Sequence, residues 1–98
     1  MFLEVSHAEY LDGYRLKLTF NNGQVRLVDL QSSLNGLVFE PLKQLDFFKR
    51  FSIKFNTIEW ENGADFAPEY LYEISTPIPY ELDQKEPPKQ VADDSSIS

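Results

Sequence analysis

The chain has 98 residues, 42% of them hydrophobic and 14% aromatic, and a net charge of −7. That is room for one small domain, and an acidic surface repels phosphate backbones and anionic lipid, which argues against direct nucleic-acid or membrane binding. The absence of cysteine excludes disulfides, thiolate metal sites and a cysteine nucleophile together.

No apolar run approaches the roughly 20 residues that span a bilayer. The start of the chain has neither a basic nor an apolar leader segment, so the expected location is the cytoplasm. Every aromatic residue except Tyr80 precedes Thr76. The expected folded unit is therefore residues 1–75, followed by a disordered acidic tail at 76–98 whose Pro, Gln, Lys, Asp and Ser content cannot build a core.

Phe2 to Tyr10 is rich in strand formers, with Asp12-Gly13 as its turn. Tyr14, Leu16, Leu18 and Phe20 alternate with Arg15, Lys17 and Thr19, the period of a half-buried strand. Asn22-Gly23 reads as a two-residue type I′ loop, which sets Phe20 opposite Val25 and Leu18 opposite Leu27. Leu30 to Leu37 is irregular and stops at Asn35-Gly36. Glu40-Pro41 opens one helical turn, and Asp46 reads as the N-cap of another before Phe47-Phe48.

A second hairpin follows. Phe51, Ile53 and Phe55 alternate with Ser52 and Lys54, and Asn56-Thr57 turns the chain into Ile58, Glu59 and Trp60. That register sets Ile53 across from Trp60 and pairs Lys54 with Glu59. Asn62-Gly63 then breaks the strand. Asp65 reads as the cap of a helix with Pro68 in its first turn, whose apolar stripe is Phe66, Tyr70, Leu71 and Ile74. The sum is an α+β fold: a small antiparallel sheet built from hairpins, with one or two short helices packed on it.

Candidate chemistry is sparse. His7, the one histidine, shares a strand face with Val5 and Glu9 and has no nucleophile or orienting partner in view. Glu59, Glu61 and Asp65 form the densest carboxylate group, the sort of oxygen cluster hard cations bind, yet the spacing is not that of a calcium-binding loop. The two Asn-Gly pairs lack the further glycines and the Lys-Ser/Thr of a phosphate loop. Trp60 reads as core. Tyr72, beside Glu69 and Glu73, reads as exposed, and the expected interaction surface comprises Trp60, Asn62, Asp65 and Tyr72. No catalytic residue, cofactor or metal ligand is assigned.

Leu16-x-Leu-x-Phe20, Asn22-Gly23, Val28-Asp-Leu30, Val38-Phe-x-Pro-Leu42, Phe47-Phe48 and Ile58-x-Trp-x-Asn-Gly-Ala-Asp65 running into Pro68-x-x-Leu-Tyr72 together resemble domain-of-unknown-function family 2442, a family of small bacterial proteins. The resemblance covers about residues 3–74. Glu61 stands where the family usually has proline, and the turn survives that change. The resemblance implies an α+β domain on an antiparallel sheet and no established enzymatic activity. It also implies an arrangement similar to toxin–antitoxin pairs, beside another small protein. The helix-turn-helix fused to some relatives has no counterpart after Ile74.

Two functional expectations follow. One is a non-enzymatic protein–protein interaction module, antitoxin-like in its sharpest form, whose partner is another protein, small and basic. The alternative is a small-ligand or metal-binding protein, or an enzyme, using the Glu59, Glu61 and Asp65 turn. Homodimerisation through the open edge of the first strand is a third route.

Overall fold

The computed structural model describes residues 2–78. Three strands open the chain: β1 (Val5–Asp12), β2 (Arg15–Phe20) and β3 (Val25–Asp29). Two 3-10 turns, Gln31–Ser33 and Leu37–Lys43, lead to a four-residue helix α1 (Leu45–Phe48). The short strands β4 (Ser52–Lys54) and β5 (Thr57–Glu59) form a separate hairpin. Helix α2 (Pro68–Ile74) follows, and β6 (Thr76–Pro77) returns to the first sheet, giving the order β1-β2-β3-β6. The architecture is α+β on antiparallel sheet, as the alternation and turn residues predict. β6 extends the sheet two residues past the expected boundary at residue 75. From Pro79 onward the expected disordered tail lies outside the described residues.

The core is the inner face of the larger sheet closed over by the loop segments and α2. Leu16, Leu18 and Phe20 of β2 are buried with Val5, Val28, Leu30, Leu34 and Leu42, and with Phe48, Ile58, Trp60, Phe66 and Leu71. Leu16 and Leu18 are fully enclosed, so truncating either to alanine is expected to cost about 2–5 kcal/mol through lost contacts and the cavity left behind.

The hairpin registers differ from expectation, by one residue at the first and by two at the second, and both shifts have a physical cause. At the first hairpin Thr19 pairs with Val25, Leu18 with Arg26 and Leu16 with Val28. The Phe20 N–H donates to Gln24 O, and the Gly23 N–H to Phe20 O, both at 2.9 Å. This is a three-residue loop in which Gly23 alone has positive φ, at 87°, a type I turn closed by a glycine bulge rather than type I′. Asn21 is drawn out of the ladder by the start of β1: its backbone N–H donates to Glu4 O, its Nδ2 to Phe2 O, and its Oδ1 accepts the Glu4 N–H.

At the second hairpin Lys54 pairs with Thr57, Ile53 with Ile58 and Ser52 with Glu59. Neither the Lys54–Glu59 nor the Ile53–Trp60 pairing forms. Thr57 is buried and its hydroxyl donates to Phe66 O at 2.5 Å, which places it in the strand and pushes the turn back to Phe55-Asn56. Phe55 consequently occupies the tip with φ 58°, the only non-glycine residue of positive φ among those described, and is 98% exposed.

A bulge between Val5 and His7 separates those two residues. Val5 turns inward opposite Phe20, while His7 pairs with Thr19 on the outer face, where its Nε2 lies 3.2 Å from Glu9 Oε2. Neither proposed cap forms. Gln44, not Asp46, precedes α1, and Ala67, not Asp65, precedes α2, without side-chain capping in either case. Pro68 starts α2, where its missing N–H costs nothing. The buried stripe of α2 is Pro68 and Leu71, with Tyr72 packed against the core; Tyr70 and Ile74 of the expected stripe are exposed.

A left-handed conformation costs a residue bearing a Cβ about 1–2 kcal/mol, offset in part by glycine's larger entropy loss on folding. Phe55→Gly removes no core contact, so unfolding by denaturant is expected to give unchanged stability or a gain of up to about 1 kcal/mol. A clear loss would show that the Phe55 ring contributes to the folded state.

Candidate functional site

The segment from Ile58 to Tyr72 holds most of the candidate residues, and the structure buries some of them and exposes others. Trp60 is 2% exposed. Its indole Nε1–H donates to Phe48 O at 2.7 Å, and its ring meets those of Phe48, Phe51 and Phe66 at centroid distances of 5.7, 6.5 and 6.0 Å. It is thus a core anchor and unavailable to a partner, which corrects its inclusion in the interaction surface.

Asn62 is exposed but holds its turn together. Its Oδ1 accepts the Ala64 N–H at 3.2 Å and its Nδ2 donates to Val38 O at 2.9 Å. The backbone repeats the first hairpin: the Gly63 N–H donates to Trp60 O and the Trp60 N–H to Ala64 O, with Gly63 at φ 90°. Asp65 is exposed and bridges Glu59 through the backbone.

Tyr72, expected to be exposed, is partly buried. Its ring packs edge-on against Phe20 at 5.0 Å, and the Arg26 guanidinium lies 4.2 Å over its face. Arg26 also donates from Nε to Ser75 Oγ at 2.6 Å and from Nη2 to Ser75 O at 3.1 Å. A cation at the C-terminal end of α2 is placed where the helix dipole favours it. This latch joins β3 to α2 and β6.

Of the four expected interaction residues, Trp60 is buried, Tyr72 is partly buried, and Asn62 and Asp65 are exposed. The carboxylates do not form a metal centre: Glu59 sits half-buried on β5 opposite Ser52, Glu61 is exposed in the turn, and no group of three metal-ligating side chains comes together among the described residues. An open cavity of about 300 Å³ lies near β1 and β2, lined by Glu9, Leu11, Asp12, Arg15, Lys17 and Ile78 among others. Its strongest charges are already matched. Arg15 donates to both Asp12 carboxylate oxygens at 2.7 and 2.9 Å, and that hydrogen bonding holds the Asp12 carboxyl below its ordinary range. Asp12 therefore remains ionised to lower pH than a free aspartate, and the pair is lost only as pH falls through that lowered value.

What sequence reasoning missed is an aromatic stack with exposed apolar side chains on the segments that carry it. Phe39 stacks on Phe66 (4.8 Å, 17°) and Phe66 on Tyr70 (5.7 Å, 15°). The Tyr70 hydroxyl reaches Ser33 Oγ at 2.7 Å. Leu37, 91% exposed, and Val38, 46% exposed, precede Phe39 in the same 3-10 segment, and Ile74 lies one turn beyond Tyr70 on α2. Leu37, Val38 and Phe39 lie in a 3-10 segment with no period in the sequence, so no amphipathic signal marks them.

These features define a small α+β domain with a closed aromatic core, an exposed apolar face and no grouped catalytic constellation among the described residues. Residues 5–77 match the family described as protein of unknown function DUF2442, and the chain belongs to that family. No curated protein and no solved structure matches it. Among the described residues no helix is long and apolar enough to cross a membrane.

Trp60→Phe keeps an aromatic ring in the core but leaves the buried Phe48 carbonyl without its donor. The expected destabilisation is about 1–3 kcal/mol, read as a lower midpoint in denaturant unfolding with an unchanged slope.

Proposed function

We propose that this domain is a non-enzymatic protein–protein interaction module. One observation supports it: large apolar side chains stand in solvent on a domain whose core closes without them, Leu37 being 91% exposed and Phe55 98%. Burial would reward these side chains at roughly 25 cal/mol per Å², and folding does not supply it. Where such side chains gather into a patch they mark interaction sites. The strained backbone at Phe55 adds weight, because a cost accepted in folding and unrelated to packing points to a role elsewhere. The antitoxin-like role, with a small protein encoded alongside as partner, is the narrower form implied by the family resemblance. No observation favours the ligand, metal or enzyme alternative at Glu59, Glu61 and Asp65.

The test is affinity capture from lysate of the native cells, comparing the full-length chain with one ended after Ile78 and with Leu37→Ser and Phe55→Gly. A single protein retained in stoichiometric amount by the full-length chain, and reduced by at least one surface variant, is the expected result. A partner lost on truncation would assign contacts to residues 79–98. Capture of nothing above background by the full-length chain would defeat the reading.

A further inference from the structure

The charges of this chain are segregated. Residues 1–54 carry seven Lys/Arg and six Asp/Glu, a net of +1, whereas residues 55–84 carry seven Asp/Glu and no Lys or Arg, a net of −7. Among the described residues, Glu61, Asp65, Glu69 and Glu73 of that run take part in no ion pair. Arg26 is engaged by Ser75 and Tyr72, and Lys43 by Glu40 at 3.0 Å.

All four acids are exposed, on α2 or beside the turn that precedes it. Glu69 and Glu73 alternate with Tyr70 and Ile74 along α2, which is Pro68–Ile74. Glu61 and Asp65 flank the turn whose Asn62 side chain is bonded to Val38 O. Phe39, Phe66 and Tyr70 form one ring stack beneath, so Val38 and Tyr70 are held on the same side of the molecule. Tyr70 is held by its stack on the buried Phe66 and its hydrogen bond to Ser33, and α2 is anchored by the buried Leu71, so this part of the face is preorganised.

We propose that the face of Leu37, Val38, Tyr70 and Ile74, rimmed by Glu61, Asp65, Glu69 and Glu73, docks a cationic amphipathic segment of another protein. The inference rests on the interaction-module reading and goes further by naming the face and the chemistry of its partner. Apolar side chains of the segment cover Leu37 and the ring stack. Its Lys or Arg residues lay their aliphatic stems on that surface and carry their charges to the acidic rim. A second copy of the chain brings a net −7 of its own, so self-association sets like charges against each other. Nucleic acid and anionic lipid meet the same repulsion.

The test uses the isotopically labelled full-length protein and a synthetic amphipathic Lys/Leu peptide, with a Glu/Leu peptide of the same pattern as control, followed by amide chemical-shift mapping. The Lys/Leu peptide is expected to shift amides at Leu37, Val38, Asn62, Tyr70 and Ile74 and to bind more weakly as salt rises. Glu69→Gln with Glu73→Gln is expected to weaken it by about three- to tenfold, and Leu37→Ser to weaken it without changing its salt dependence. Neither variant touches the core, and unchanged thermal unfolding would confirm that the fold persists.

Shifts centred on Phe55 or the β1 edge, equal binding of the Glu/Leu peptide, or no shift at millimolar peptide would each overturn the proposal. Concentration-dependent shifts at this face without peptide would overturn it in favour of self-association. A native partner captured equally well by wild type and by the face variants would reject this face while leaving the interaction-module reading intact. Localised peptide binding with no native partner would reject that reading instead.

Discussion

The hydrogen bond from the Trp60 indole to the Phe48 carbonyl is the contact on which the rest of the domain depends. A short chain has little core to spare, and Trp60 joins three segments that have no regular pairing with one another. It ends the second hairpin, receives α1 through Phe48, and meets Phe66 ahead of α2. A helix of four residues has no stability of its own in water. α1 persists because its last residue is buried and its carbonyl satisfies the one polar atom of the largest core side chain. Tyr10 and Tyr14 close on the same Phe48 ring from the sheet side, at 6.3 and 5.1 Å, and the Tyr14 hydroxyl donates to Lys43 O. The sheet and the loop layer are thereby joined through one aromatic cluster.

The chain solves the same local problem twice with the same residues. Phe20-x-Asn-Gly23 and Trp60-x-Asn-Gly63 each leave the core at a buried aromatic, turn with a single left-handed glycine, and close with asparagine Oδ1 accepting the N–H two residues on. In both, a large ring fixes the start of the turn inside the protein and the asparagine replaces a missing ladder bond. The two turns then diverge in use. The first shapes the sheet, and the second carries Asn62 across to Val38 and so positions the exposed apolar face.

That face and the Arg26 latch occupy different parts of α2. The helix turns Leu71 and Tyr72 toward the core and Arg26, and leaves Tyr70, Ile74, Glu69 and Glu73 to solvent. Seven residues thus serve both packing and display. The cost is the absence of a side-chain cap at the N-terminal end of α2, offset by Pro68 at its first position and by Arg26 and Ser75 at the other end.

The sequence by itself determined the fold class, the two hairpins and the strand before them, which face of β2 is buried, and where glycine must supply positive φ. All of these follow from local properties: alternation, backbone freedom and turn chemistry. The tertiary structure alone decided the hairpin registers, because the turn residues admit more than one loop length until distant partners choose between them. Asn21 bonds to Phe2 and Glu4 where the first register shifts by one residue, and Thr57 bonds to Phe66 where the second shifts by two. The bulge between Val5 and His7, the burial of Tyr72 under Arg26, and the gathering of Leu37, Val38, Tyr70 and Ile74 have the same origin. They are contacts between residues far apart in sequence, whose energies exceed local preference and leave no periodic trace in the chain.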